Sequence, residues 1–166
     1  MSTEAVADTS FLIDWARYSK RVLIFELFNL IWIPEPVLNE VKSASTLEWV
    51  AQSIASGKMA YLPEFPEYRE AALRLMAVSR RFPIRGLDYP EAYCIALAES
   101  KGYIVLSENG GAYAAQYLFV KAKVWRAFDV LYELVKRGKL SREDVLKYQD
   151  ETYHRFSRRD LQRLGL

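Results

Sequence analysis

Short apolar runs alternate with amphipathic stretches along this chain, and the alternation predicts strands separated by helices. Residues 5–7 form an apolar run that stops at Asp8, after which Thr9 and Ser10 offer hydroxyls that can start a helix reaching about Tyr18. A further short helix is predicted over 20–28. Residues 30–33 are β-rich and end at Pro34, and Pro36 suits the first turn of a helix with Val37, Leu38 and Val41 on one side. Helix over 46–56 closes at Gly57, and 59–62 reads as a strand. Spacing at Ala72, Leu73, Leu75 and Met76 predicts a helix over 68–81.

Pro90 then opens a strongly apolar helix over 91–100, closed by Gly102, and 103–106 is the cleanest strand pattern. Gly110 and Gly111 turn the chain into a helix over 112–119, followed by a strand over 120–124, helices over 128–136 and 142–155, and a basic tail. Strands regularly separated by helices imply one α/β domain. Its central sheet would be mainly parallel, doubly wound and flanked by helices as an α/β/α sandwich.

Composition narrows the classes. At 166 residues the chain fits one compact domain, and its 51% hydrophobic content suffices for a full core. A net charge of only +2 means that any nucleic-acid contact must come from a local basic patch or from bridging metal ions. Cys94 is the only cysteine, which excludes an intrachain disulfide and a Cys-rich zinc site. The first ten residues lack a basic, apolar leader pattern, and the apolar stretches 22–28 and 30–34 are too short for a membrane span. A soluble cytoplasmic protein without membrane contact is the expectation.

Ligands of open α/β sheets collect at the carboxyl ends of the strands, where the strand order reverses. Asp8 follows the first strand, and Ser107, Glu108 and Asn109 follow the strand over 103–106. Glu40 lies on the helix after the second strand, and Glu91 heads the helix after Pro90. Singly, each acid has a plainer reading: Asp8 as a helix cap, Glu40 as a solvated residue, Glu91 as a dipole-favoured first-turn acid, Glu108 as a loop residue. Their joint order adds the chemical content.

That order resembles the PIN-domain family. Residues 8–14, Asp-Thr-Ser-Phe-Leu-Ile-Asp, are similar to its N-terminal signature. Ile33-Pro34 followed by Val37-Leu38-Asn39-Glu40-Val41 resembles the second motif, and Leu87-Asp88-Tyr89-Pro90-Glu91-Ala92 with Ile95-Ala96-Leu97-Ala98 resembles the third. Val105-Leu106-Ser107-Glu108-Asn109 occupies the place of the fourth. The likeness covers about residues 4–130, and 127–164 resembles the helical end of one subgroup. The implied organisation is a PIN-like α/β domain over 1–130 and a C-terminal helical extension of it over 131–166.

The resemblance implies a metal-dependent endoribonuclease, similar to the toxins of VapBC toxin–antitoxin pairs. Its catalytic acids would be Asp8, Glu40, Glu91 and Glu108, and these with Asn109 would hold Mg²⁺ or Mn²⁺. Thr9 and Ser107 would position a phosphate or ligand. RNA would be the substrate, with a homodimer and a small antitoxin protein as the assembly. Carboxylates suit this task because hard divalent cations prefer oxygen ligands, lower the pKa of bound water and neutralise phosphate charge.

The fourth motif departs from the family pattern, because Asn109 stands where Asp is usual. Glu108, one residue earlier, is favoured over it as the fourth acid. Asn109 also keeps open a second reading, a catalytically weak or inactive PIN-like module that binds RNA or protein. A receiver-like phosphoacceptor domain built on Asp8 is disfavoured, since the Lys-bearing strand end and the adjacent acidic pair are missing.

Other polar residues weigh less. Arg80, Arg81 and Arg85 form a basic loop beside the third acid and are candidates for RNA contact, although such clusters are more often solvated faces. The same holds for Arg155, Arg158, Arg159 and Arg163. His154 reads as a surface residue beside Arg155, Asp14 as an ordinary helix residue and Asp88 as a cap. Gly110-Gly111 lacks the spacing of a phosphate-binding loop.

Overall fold

The computed structural model describes residues 3–166, so Met1 and Ser2, at the start of the segment read for a leader, lie outside the described residues. Glu4–Ala7 (β1) is the central strand of a five-stranded sheet, flanked by Leu30–Pro34 (β2) and Ile104–Leu106 (β4). Met59–Leu62 (β3) and Val124–Trp125 (β5) form the two edges, and every pairing is parallel. Val6 lies opposite both Trp32 and Val105. Ala5, Val6 and Ala7 are fully buried because helices cover both faces, which explains a strand that is apolar throughout rather than alternating.

The order β3-β2-β1-β4-β5 means that the chain builds outward on one side of β1, then returns to build on the other. The reversal lies between β1 and β4, and a crevice opens at their carboxyl ends. Six helices frame that crevice or cover the sheet: Thr9–Trp15 (α1), Glu35–Glu40 (α2), Ala44–Ala55 (α3), Pro66–Ser79 (α4), Tyr89–Lys101 (α5) and Gly110–Ala115 (α6). Residues 90–98 of α5 are all buried, Glu91 among them, in keeping with its strongly apolar sequence. Gly102 ends α5 with φ of 78°, a left-handed conformation that favours glycine.

Ala127–Lys136 (α7), Arg142–Thr152 (α8) and Arg158–Arg163 (α9) complete the chain. Tyr148 of α8 packs against Trp15 and Tyr18, with ring centroids 5.5 and 5.0 Å away, so the C-terminal helices share the core of the N-terminal ones. Tyr18 adds a hydrogen bond from its hydroxyl to the Asp144 carbonyl at 2.9 Å.

Several elements differ from the sequence expectation for identifiable reasons. The segment 20–28 forms a 3-10 helix over Arg21–Glu26. The strand expected over 120–124 contracts to β5, because Val120 N–H is bound to the Ala115 carbonyl and Lys121 N–H to the Glu99 carboxylate, 3.1 and 3.0 Å away. Helix α6 starts before 112, since Asn109 caps it. Part of the basic tail is α9, started by the Ser157 hydroxyl accepting from Asp160 N–H at 3.1 Å. No helix among the described residues is long and apolar enough to cross a membrane.

Candidate metal centre

The end of β1 delivers Asp8 into the crevice, and the neighbouring strand fixes it there: Asp8 N–H donates to the Leu106 carbonyl at 2.9 Å. Its backbone is extended at φ −88° and ψ 159°, and its side chain is the N-cap of α1, with Oδ1 accepting from Thr9 N–H at 2.7 Å. The cap is therefore Asp8 itself rather than the Thr9 or Ser10 hydroxyl. Oδ2 accepts from Ser10 Oγ at 3.2 Å and from Ser107 Oγ at 3.0 Å. Asp8 is both a helix cap and the carboxylate at the bottom of the crevice, 2% exposed.

A cleft of about 330 Å³ opens above it, lined by Asp8, Thr9, Ser10, Ile13, Glu40, Arg85, Asp88, Glu91, Glu108 and Asn109. Glu40, at the end of α2, is exposed and is held over the cleft by the Thr9 hydroxyl, which donates to Oε2 at 2.8 Å. Glu91 sits in the first turn of α5, 5% exposed, in a reciprocal cap with Asp88. Glu91 N–H donates to Asp88 Oδ1 at 3.2 Å, and Asp88 N–H donates to Glu91 Oε2 at 3.3 Å. The sequence signal for Asp88 was the Asp-x-x-Glu capping spacing, which identifies a cap but not a cleft acid.

Asn109 does not present an oxygen to the cleft. Its Oδ1 accepts from Gly111 N–H at 2.7 Å and Ala112 N–H at 3.2 Å, capping α6, while its side-chain amide donates to Glu91 Oε1. Both lone pairs are engaged in this arrangement, where the sequence reading has Asn109 offering an oxygen to a metal. Ser107 holds this turn together, with Oγ accepting from Asn109 N–H at 3.1 Å while donating to Asp8.

Glu108 borders the cleft, but its carboxylate turns toward α7 and the C-terminal segment. One oxygen accepts from Ala127 N–H, and the other lies 3.4 Å from His154 Nε2. His154 Nδ1 in turn lies 3.3 Å from Asp14 Oδ2. His154 is thus a half-buried bridge between two carboxylates rather than a free surface residue, and the Asp14 interaction raises its pKa. The ligand atoms of Asp14, Glu108 and His154 lie within 4.8 Å of one another, although the Arg126 guanidinium nearby opposes a further cation there.

Burial pushes the Asp8 carboxyl up to about 6 despite its hydrogen bonds, and Asp88 adds to the rise. Glu91 is pushed up to about 8, first by burial and then by the charges of Asp8 and Asp88. Burial also raises Glu108. Arg85 is the one cation lining the cleft among the described residues. An oxygen-only donor set with uncompensated negative charge fits a hard divalent cation such as Mg²⁺ or Mn²⁺.

Arg85 reaches the cleft rim, whereas the exposed Arg80 and Arg81 do not line it. The loop carrying Arg85 leans on the start of α6 at Gly111, where a Cβ would fall inside 3.0 Å of the Arg85 carbonyl oxygen. The sequence offered Gly110-Gly111 only as a turn. The second glycine is required by this close approach.

The family model described as PIN domain matches residues 4–155. Among solved structures, PAE2754 from Pyrobaculum aerophilum is 19% identical, with 82% of this chain and 99% of that chain covered and a TM-score of 0.53. A member of the VapBC family of toxin–antitoxin systems, VapBC-5 from Mycobacterium tuberculosis, is 16% identical over 75% of this chain and 99% of that one, with a TM-score of 0.51. FitAB bound to an IR36 DNA fragment is 13% identical over 74% and 94%, with a TM-score of 0.51. At such identities the likeness is one of fold. No curated protein matches the sequence.

Proposed function

The chain belongs to the PIN-domain family, and from that premise we propose that it is a divalent-metal-dependent endoribonuclease. The observation that carries this reading is the convergence of Asp8, Glu40, Asp88 and Glu91 on one cleft at the sheet's reversal point. Asp8 and Glu91 would hold Mg²⁺ or Mn²⁺, with Glu40 and Asp88 at the rim and Glu108 at the margin. When bound, the metal would lower the pKa of a water and neutralise charge on the scissile phosphate.

The chain's own groups do the positioning. Ser107 and Ser10 orient Asp8, the Thr9 hydroxyl restrains Glu40, and the Asn109 amide steers one Glu91 oxygen. Arg85 is the group at the rim that can meet a phosphate, and the Gly111 contact sets where its loop lies. The same reading makes this a cytoplasmic toxin that acts on RNA as a homodimer and is restrained by a small antitoxin protein. Support for the toxin role comes from the toxin–antitoxin membership stated for the VapBC-5 structure.

A second reading, a PIN-like module that binds RNA or protein without cleaving, draws on Asn109 and Glu108, whose oxygens are committed to helix caps and His154. Incubating purified protein and its Asp8→Asn variant with RNA and Mn²⁺ separates the two. Cleavage lost in the variant supports the nuclease. RNA binding with no metal-dependent cleavage by either form selects the module, and equal cleavage by both refutes the assigned site.

A further inference from the structure

A second groove, of about 450 Å³, runs along the outer edge of the sheet beside α6 and β5. We propose that it is a track for single-stranded RNA leading away from the cleft, an inference that rests on the RNA reading above. Its working residues are Tyr113, Tyr117, Lys121, Lys123, Trp125 and Arg163.

Helix α6 lies between the groove and the cleft: its N-cap Asn109 lines the cleft and its Tyr113 lines the groove. Asn109, whose amide reaches Glu91, is followed at four-residue intervals by Tyr113 and Tyr117. That spacing keeps Asn109 and Tyr113 on one helical face, about 6 Å apart along the axis, while Tyr117 lies in the turn just past the end of α6 at Ala115. Tyr113 N–H donates to the Asn109 carbonyl at 3.0 Å, and the two tyrosine rings meet edge to face at 5.8 Å. Tyr117 is 72% exposed, so its ring is open to a ligand.

The free charge in the groove is positive. Asp129 is paired with Arg126 at 3.3 Å and Arg163 at 3.9 Å, and Glu133 with Arg137 at 3.4 Å. Among the described residues, Lys121 and Lys123 have no carboxylate within 4.0 Å of their ammonium groups. Arginine guanidinium groups back two of the rings: Arg126 lies 4.2 Å from the Tyr113 centroid and Arg163 lies 4.6 Å from that of Tyr132. Rings that are already oriented, beside unpaired lysines, suit unstacked bases and their phosphates. Duplex RNA keeps its bases stacked and offers these rings nothing.

A peptide strand added to the sheet edge is the other occupant that this geometry suggests, and β5 works against it. The outward Val124 N–H is already bound to Gln116 Oε1 at 2.9 Å, so an incoming strand finds that donor occupied.

The test is fluorescence anisotropy in EDTA with a labelled single-stranded RNA of about ten nucleotides. Tyr117→Ala should weaken binding roughly tenfold, as expected for the loss of one stacked base. Changing Lys121→Gln and Lys123→Gln together should reduce the slope of log affinity against log salt by about 1.4, since each phosphate contact to a single strand contributes about 0.7. Lys58→Gln, in a groove on another face, should change neither. Thermal melts with and without Mn²⁺ check that the fold and cleft of each variant are intact. No binding by the wild-type chain, unchanged affinity and salt slope in the groove variants, or equal affinity for a duplex of the same length would each overturn the proposal. Failure of the nuclease reading would appear separately, as absence of Mn²⁺-dependent cleavage, while these binding results stand.

Discussion

The Asn109 side chain joins two helix starts: its amide donates to Glu91 in the first turn of α5, and its carbonyl oxygen caps α6. A residue standing where the family usually has Asp therefore works here as a clamp on another acid. The donor relieves a carboxylate that burial has already pushed up to about 8.

Asn109→Asp keeps the cap, removes that donor and adds a fourth carboxylate to Asp8, Asp88 and Glu91. The metal-free variant should lose on the order of 1–3 kcal/mol, the cost of an unpaired buried polar group. Mn²⁺ should recover part of the loss. Chemical denaturation with and without Mn²⁺ measures both effects, and an unaltered metal-free stability would mean that the clamp is unimportant.

The raised carboxylates give the metal-free protein a defined pH response. Stability from Asp8 and Glu91 is fully present below their unfolded values of 3.8 and 4.5 and is lost as pH rises through about 6 and about 8. Glu108 and His154 are also raised and act in the same direction, while the lowered Asp144 contributes only to acid destabilisation. Melting temperature in EDTA should therefore fall between pH 5 and pH 9. Mn²⁺ should stabilise more at the alkaline end, where protons no longer compete for the carboxylates. A melting temperature that rises over this range in EDTA would contradict the assigned burial.

Adjacent glycines should respond differently to the same change. Gly111→Ala drives a Cβ into the Arg85 carbonyl and should cost about 1–3 kcal/mol as the Arg85 loop shifts. Gly110→Ala meets nothing within 4 Å and should be nearly neutral. Equal melting temperatures for the two variants would rule out the close approach.

Removing the His154 imidazole leaves Glu108 and Asp14 facing each other without the bridging group. His154→Ala should destabilise by about 1 kcal/mol at pH 6, with an effect that shrinks as pH rises through the raised imidazole pKa. A pH-independent effect would point to packing against Phe156 instead, whose ring centroid lies 5.6 Å away.

The alternation of strands and helices was legible because period and punctuation are local. The β1 run ends at Asp8, and α5 is apolar throughout because it is buried throughout. The order of Asp8, Glu40 and Glu91 was legible for the same reason: each sits at a strand end or helix start that its neighbours announce. Strand β5 was misjudged because Val120 and Lys121 commit their N–H groups to Ala115 and to Glu99, twenty-two residues away in the latter case. His154 could not be read correctly without knowing that α8 returns the chain to Asp14 and Glu108.

The sequence alone determined the layered α/β plan and the acid at the end of β1, since hydrophobic period and helix-capping chemistry act within a few residues. Only the tertiary structure decided what each loop acid does. It brought Asp88 to the cleft, turned Glu108 toward Ala127 and His154, and committed the Asn109 oxygen to α6. The direction of a loop side chain depends on which distant donors and charges compete for it, and those partners become neighbours only when the sheet closes around β1.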